Sequence, residues 1–148
     1  MKNFSDLADI DLKINISLSI SPVYENGCPG ACVIVNGNKF FDGLLKEKFS
    51  MSTEIDLNSP IKIEVSMKNK IYDQFKETAI IIDSLKIDKM EIVSDYVHLA
   101  NYVNERKLDI KTHYLGFNGT WALEIIEPFY QWRHRVTNQG WLLIPVRA

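Results

Sequence analysis

Strict alternation of apolar and polar residues runs through long stretches of this chain, and it narrows the fold more than any other feature. Over Leu12–Ile20 the apolar set is Leu12, Ile14, Ile16, Leu18 and Ile20, with Lys13, Asn15, Ser17 and Ser19 between them. Successive strand side chains point to opposite faces, so this pattern buries one face and wets the other. A sheet with one wet face is the antiparallel kind. The same rhythm returns in Phe49, Met51, Thr53 and Ile55, alternating with Ser50, Ser52, Glu54 and Asp56. It returns again in Ile61, Ile63, Val65 and Met67, alternating with Lys62, Glu64, Ser66 and Lys68.

Turn residues punctuate these stretches. Ser21-Pro22 ends the first, and Tyr24–Gly30 forms a loop with Gly27, Pro29 and Gly30. Ala31–Val35 is a strand, and Asn36-Gly37 supplies the positive φ angles of a tight hairpin. Lys39–Phe41 returns antiparallel, and Asp42-Gly43 predicts a second turn. Ala79–Ile82 and Leu85–Ile87 are short strands separated by Asp83-Ser84, and Met90–Val93 continues the pattern. Ser94–Arg106 is ambiguous: Ser94 is placed to cap a short helix burying Tyr96, Val97, Ala100 and Val103, at most a turn or two. Trp121, Leu123 and Ile125 share one strand face, opposite Ala122, Glu124 and Ile126, and Trp141–Ile144 is a terminal apolar strand.

Short strands separated by frequent turns, without the helix rhythm of a parallel sheet, predict a mostly β fold. The expected architecture is an antiparallel β-sandwich or jelly roll, all-β with at most one short helix. With 148 residues and no linker, one domain over 1–148 is expected. A chain this long buries enough surface to fold without a disulfide or metal.

The balance of 17 basic and 19 acidic residues, net −2, with the basic ones scattered, argues against nucleic-acid and membrane partners. No apolar run approaches the roughly 20 residues that cross a bilayer. Met1–Asp6 lacks the charged and apolar regions of a signal peptide, so folding in a cytoplasm is the expectation.

No residues form a recognisable catalytic or metal constellation, and no cofactor is expected. Cys28 and Cys32 would supply half a zinc site, but His98, His113 and His134 lie far apart without a ligand pattern. Free thiols are the simpler reading. Asp73, Glu77, Asp83 and Asp88 surround the middle turns and are candidate calcium ligands. They fit no calcium loop, and acidic residues favour turns for local reasons. Glu124 and Glu127 are the nearest offer of a carboxylate pair for sugar hydrolysis, although strand alternation already accounts for Glu124.

Aromatic residues crowd the C-terminal third: Trp121, Phe129, Tyr130, Trp132 and Trp141. They are the candidate binding residues for a protein partner or a glycan, against the alternative that most are core. Trp132, followed by Arg133, His134 and Arg135, is expected to face a partner, and Trp121 with Trp132 is the first candidate for an exposed ring pair.

Two resemblances bear on function. Ile16–Val35, with its Tyr24–Gly30 loop and the Asn36-Gly37 turn, resembles the opening of carbohydrate-binding-module-like β-sandwiches. Met67-Lys68-Asn69-Lys70 with Asp73, Ile81–Ile87, Tyr114–Trp121 and Glu127–Trp132 resemble small virion-associated proteins of tailed phages. Such modules often bind sugar through calcium, but no dense acidic loop is present here. The phage resemblance implies a non-enzymatic virion structural or adaptor protein of tail, neck, fibre or capsid, assembled in the host cytoplasm and contacting other virion proteins. A homo-oligomer is a further candidate. The alternative is a carbohydrate-binding module recognising host surface glycans.

Overall fold

The computed structural model describes residues 13–25, 27–70, 72 and 76–137. Leu12, Asp73 and the predicted strand Trp141–Ile144 lie outside them.

The alternating stretches form strands, but the first does not end at Ser21-Pro22: it runs on to Tyr24, pairing Ser21 with Ile81 and Pro22 with Ile80. In β1 (Lys13–Tyr24) Ile14, Ile16, Leu18 and Ile20 are buried, while Lys13 and Asn15 are exposed. β2 (Gly30–Val35) and β3 (Asn38–Leu44) form a hairpin. Asn36 and Gly37 turn it with φ of 48° and 82°, a tight reversal in which glycine avoids steric cost. β4 (Phe49–Asp56) and β5 (Ile61–Lys68) follow.

β6 (Thr78–Ile87) is one continuous strand, not two. The Asp83-Ser84 interruption is a β-bulge: Ser19 pairs with Ser84 and Ile20 with Ile82, leaving Asp83 as the extra residue. Its carboxylate accepts a hydrogen bond from the Ser21 hydroxyl. Likewise Asp42-Gly43 is not a turn. Both residues stay in β3, opposite Cys32 and Ala31.

After β7 (Met90–Glu91) comes one helical turn, α1 (Val93–Tyr96), continued as a 3-10 turn over Val97–Leu99. Ile92, not Ser94, holds the N-cap position, and the Glu91 carboxylate accepts from Val93 N–H at 3.1 Å. β8 (Asn101–Asn104) then leaves Val103 74% exposed rather than buried. β9 (Tyr114–Leu115) and β10 (Gly119–Ile125) complete the sheets.

The longer helix, α2 (Phe129–Thr137), starts directly after Pro128. Phe129, Trp132 and Val136 are buried at helical spacing, so one face docks on the core.

All pairings are antiparallel, in two sheets. The first runs β4-β1-β6, with β7 and β9 both on the far side of β6. The second runs β3-β2-β5-β10-β8. The inward rows of both sheets share one apolar cluster, so the chain is an antiparallel β-sandwich.

Gly119 starts β10 where that strand meets β8. A Cβ there would lie 2.2 Å from the Val103 carbonyl oxygen and 2.6 Å from Asn104 Cα. Backbone cannot yield as a side-chain end does. We expect Gly119→Ala to destabilise the fold by about 3 kcal/mol, read as a shifted denaturant midpoint, because the β8–β10 pairing must open.

Candidate functional site

The candidate site is a groove of about 320 Å³ lined by Lys70, Glu77, Tyr102, Ile110, Thr112, Tyr114, Gly116 and Phe117. Its residues come from separate parts of the sandwich. Lys70 leaves β5, Glu77 leads into β6, Tyr102 sits in β8, Tyr114 in β9, and Phe117 precedes β10.

The polar centre is an ion pair. Lys70 Nζ lies 2.7 Å from Glu77 Oε1 and donates to the Gly116 carbonyl at 2.6 Å. Its side chain is 7% exposed, against 44% for Glu77. The ammonium also stands 5.1 Å from the centre of the Tyr72 ring, so it is held on several sides. Glu77 further accepts from Thr78 N–H at 2.9 Å and from the Tyr114 hydroxyl.

Burial alone would raise the Glu77 pKa. The bonds from Lys70, Thr78 N–H and Tyr114 outweigh it, so the carboxyl titrates below its ordinary value. Tyr114 is pushed the other way, to about 12, by burial and by donating to the Glu77 anion.

Aromatic rings form the walls. The Tyr102 hydroxyl donates to the Phe117 carbonyl and accepts from Phe117 N–H at 2.9 Å, which locks the ring. Burial pushes its pKa to about 12. Tyr72 and Phe117 lie 6.2 Å apart, and the Arg106 guanidinium stands 4.6 Å and 5.6 Å from their centres. Asn118 ties the segment down: its side chain accepts from Lys70 N–H at 2.9 Å and donates to the Lys70 carbonyl at 3.3 Å.

The candidates drawn from sequence fall elsewhere. Trp121 is 1% exposed and Phe129 is fully buried. Trp132, at 4% exposure, stacks on Phe129 at 5.8 Å and meets Tyr96 edge-on at 6.4 Å. Trp121 and Trp132 are therefore core side chains here, not an exposed pair. The helix directs Arg133 and Arg135 outward while Trp132 faces in. Tyr130 does present its ring, 45% exposed, with its hydroxyl 2.6 Å from Asp88 and Arg133 over its face at 5.3 Å. Trp141 lies outside the described residues.

A wider hollow, about 490 Å³, lies between the Asp88-Lys89 turn and α2. Of the described aromatic residues only Tyr96 lines it, and Asp88 there is engaged by Tyr130 and Arg133. The smaller groove combines ring walls with a fixed ion pair, and that makes it the stronger candidate.

The acidic candidates are dispersed. Glu77 is bound by Lys70, Asp83 by Ser21, and Asp88 by Tyr130 and Arg133. Among the described residues no three His, Cys, Asp or Glu side chains gather to hold a metal. Glu124 is exposed on β10, and Glu127 accepts from Arg135 Nε at 3.0 Å. Cys28 and Cys32 are unbonded thiols.

No family model and no curated protein matches the chain. Among solved structures the chain is similar to vCBM60 in its selenomethionine form, described with calcium-dependent carbohydrate-binding modules. The TM-score is 0.50 and the identity 14%, covering 76% of this chain and 91% of that one. The galactobiose complex of vCBM60 gives a TM-score of 0.49 at 12% identity, covering 75% and 99%. The likeness is one of fold, to carbohydrate-binding-module β-sandwiches. Nothing in it supports a phage origin or a virion location.

The ion pair makes an acid-stability prediction. Glu77 titrates below the ordinary carboxylate value of 4.5, so its contribution is complete above that pH and is lost as pH falls through the folded value. Wild type should lose stability more steeply than Glu77→Gln below pH 4.5. Denaturant unfolding of both proteins across pH checks it, and parallel curves would remove the ion pair from the acid response.

Proposed function

We propose that this protein is a non-catalytic carbohydrate-binding module whose ligand occupies the groove walled by Tyr102, Tyr114 and Phe117. The observation that carries this reading is the pairing of aromatic walls with the fixed Glu77 carboxylate in one groove. A sugar ring has an apolar C–H face and a rim of hydroxyls. The first is drawn from water against an aromatic ring, and the second needs a positioned acceptor. The fold, shared with modules that bind carbohydrate, is compatible with this use but does not establish it.

The groove's hydrogen bonding narrows the ligand. Lys70 is committed to Glu77, the Gly116 carbonyl and the Tyr72 ring. The Tyr102 hydroxyl is committed in both directions to Phe117. Glu77 meets three donors, Lys70, Thr78 N–H and Tyr114. An ionised carboxylate has about four lone-pair sites, so acceptor capacity is left over. The groove thus asks for a hydroxyl donor, while its Lys70–Glu77 pair is neutral as a whole. Neutral glycans, rich in hydroxyls and without net charge, fit it. Calcium takes several oxygen ligands, and Glu77 is the one described acidic group lining the groove, so the groove does not fit a calcium ion.

Three measurements follow. In calorimetric titration with neutral oligosaccharides, Tyr114→Ala should weaken binding by about tenfold or more, equivalent to about 1.4 kcal/mol. The same titration in a chelator should give unchanged affinity. Oligosaccharides methylated at their hydroxyls, which bring no donors to Glu77, should bind more weakly than the free ones. Failure of every neutral and acidic glycan on a broad panel to bind would overturn the proposed function.

A further inference from the structure

The outer strands of the two sheets are unequally protected. An unpaired edge exposes a row of backbone donors and acceptors, which proteins blunt with short strands, bulges or inserted charge. β7 and β9 have two residues each, and β8 has four. β3 carries a bulge: Val33 pairs with Phe41 and Ile34 with Lys39, leaving Phe40 over. It also bears Lys39 and Asp42, linked to each other and to Lys68.

β4 is neither short nor bulged, and its charges, Glu54 and Asp56, are both acidic and sit towards one end. Its eight residues pair with β1 from Phe49 to Asp56 without a register shift. The strand contains no proline, lysine or arginine. Phe49, Met51 and Ile55 are only half-buried, packed against the margin of the core. Among the described residues no strand pairs on the outer side of β4.

We propose that the β4 edge pairs antiparallel with the β4 edge of a second copy of this chain, about a twofold axis at Thr53. In that register Thr53 faces the partner's Thr53. Met51 faces the partner's Ile55, on the half-buried row. Ser50 faces the partner's Asp56, and Ser52 faces the partner's Glu54. Each carboxylate then meets a hydroxyl donor, and no like charges stand directly opposite. Moving the axis to Glu54 would set two carboxylates face to face, and moving it to Ser52 would carry Asp56 past the end of the partner's strand; the Thr53 axis keeps both Glu54 and Asp56 opposite serines within β4. The contact is isologous, closes at two copies and joins the first sheets into one.

Sedimentation velocity on the whole protein, from low to high micromolar concentration, tests the proposal. Wild type should show a concentration-dependent dimer. Thr53→Lys sets two ammonium groups opposite one another and should raise the dissociation constant by about tenfold or more. Val103→Lys on β8 should leave it unchanged. A monomer at all concentrations overturns the proposal, as does a dimer untouched by Thr53→Lys. Should Thr53→Lys fail to fold, cross-linking decides. With Cys28→Ser and Cys32→Ser, Thr53→Cys should form a disulfide dimer under mild oxidation, whereas Ile55→Cys should not. Equal cross-linking at both positions overturns the proposed register.

Discussion

A single apolar layer between the two sheets carries the rest of this structure. The inward rows of β1 and β6 meet those of β2, β5 and β10, and α2 adds Phe129 and Trp132. Burial of this kind is roughly proportional to apolar area, about 25 cal/mol per Å². Sheets bound only by their ladders would leave these rows in water. The layer also dictates register, because a slip of one residue would turn Ile14, Ile16, Leu18 and Ile20 outward together. The bulge at Asp83 absorbs one extra residue in β6 and keeps Ile82 and Leu85 buried on either side.

The groove exists because the same sandwich ends in polar ties rather than in more core. Asn118 imitates a backbone pairing with Lys70, and Tyr102 does so with Phe117. These bonds fix loop segments that no ladder holds. Lys70 is thereby drawn into a nearly closed position, where a lone ammonium would be costly and Glu77 compensates it. A carboxylate arranged this way is a rigid acceptor beside aromatic walls, and rigid acceptors favour ligands that bring their own donors.

Much of the fold was legible in the sequence, because alternation is local and strand geometry is local too. The β1, β4, β5 and β10 rows and the Asn36-Gly37 hairpin follow from neighbouring residues alone. Asp42-Gly43 and Asp83-Ser84 carry turn chemistry, but cross-strand pairing overrides it and keeps them within strands. Phe129–Thr137 has strand-favouring aromatics, yet the spacing of Phe129, Trp132 and Val136 was the signal for a helix with a buried face. The basic residues after Trp132 pointed to a wet segment. They are wet, and the same helical spacing turns Trp132 inward. The groove was not legible: Lys70, Glu77, Tyr102, Tyr114 and Phe117 share no local spacing, and only the pairing of β9 and β10 with distant strands gathers them.

The likeness to calcium-dependent carbohydrate-binding modules sets the scaffold apart from the chemistry placed on it. A metal site needs several oxygen ligands converging at one point. In the described residues of this chain Glu77, Asp83 and Asp88 are each drawn into a different local network, by Lys70, by Ser21 and by Tyr130 with Arg133. Each of those partners occupies a carboxylate oxygen that a cation would otherwise bind, and Lys70 and Arg133 also balance its charge. Carboxylates dispersed in this way are left with direct hydrogen bonds as their chemistry, and in the groove that chemistry stands beside aromatic rings, with Glu77 and Tyr114 joined at its centre.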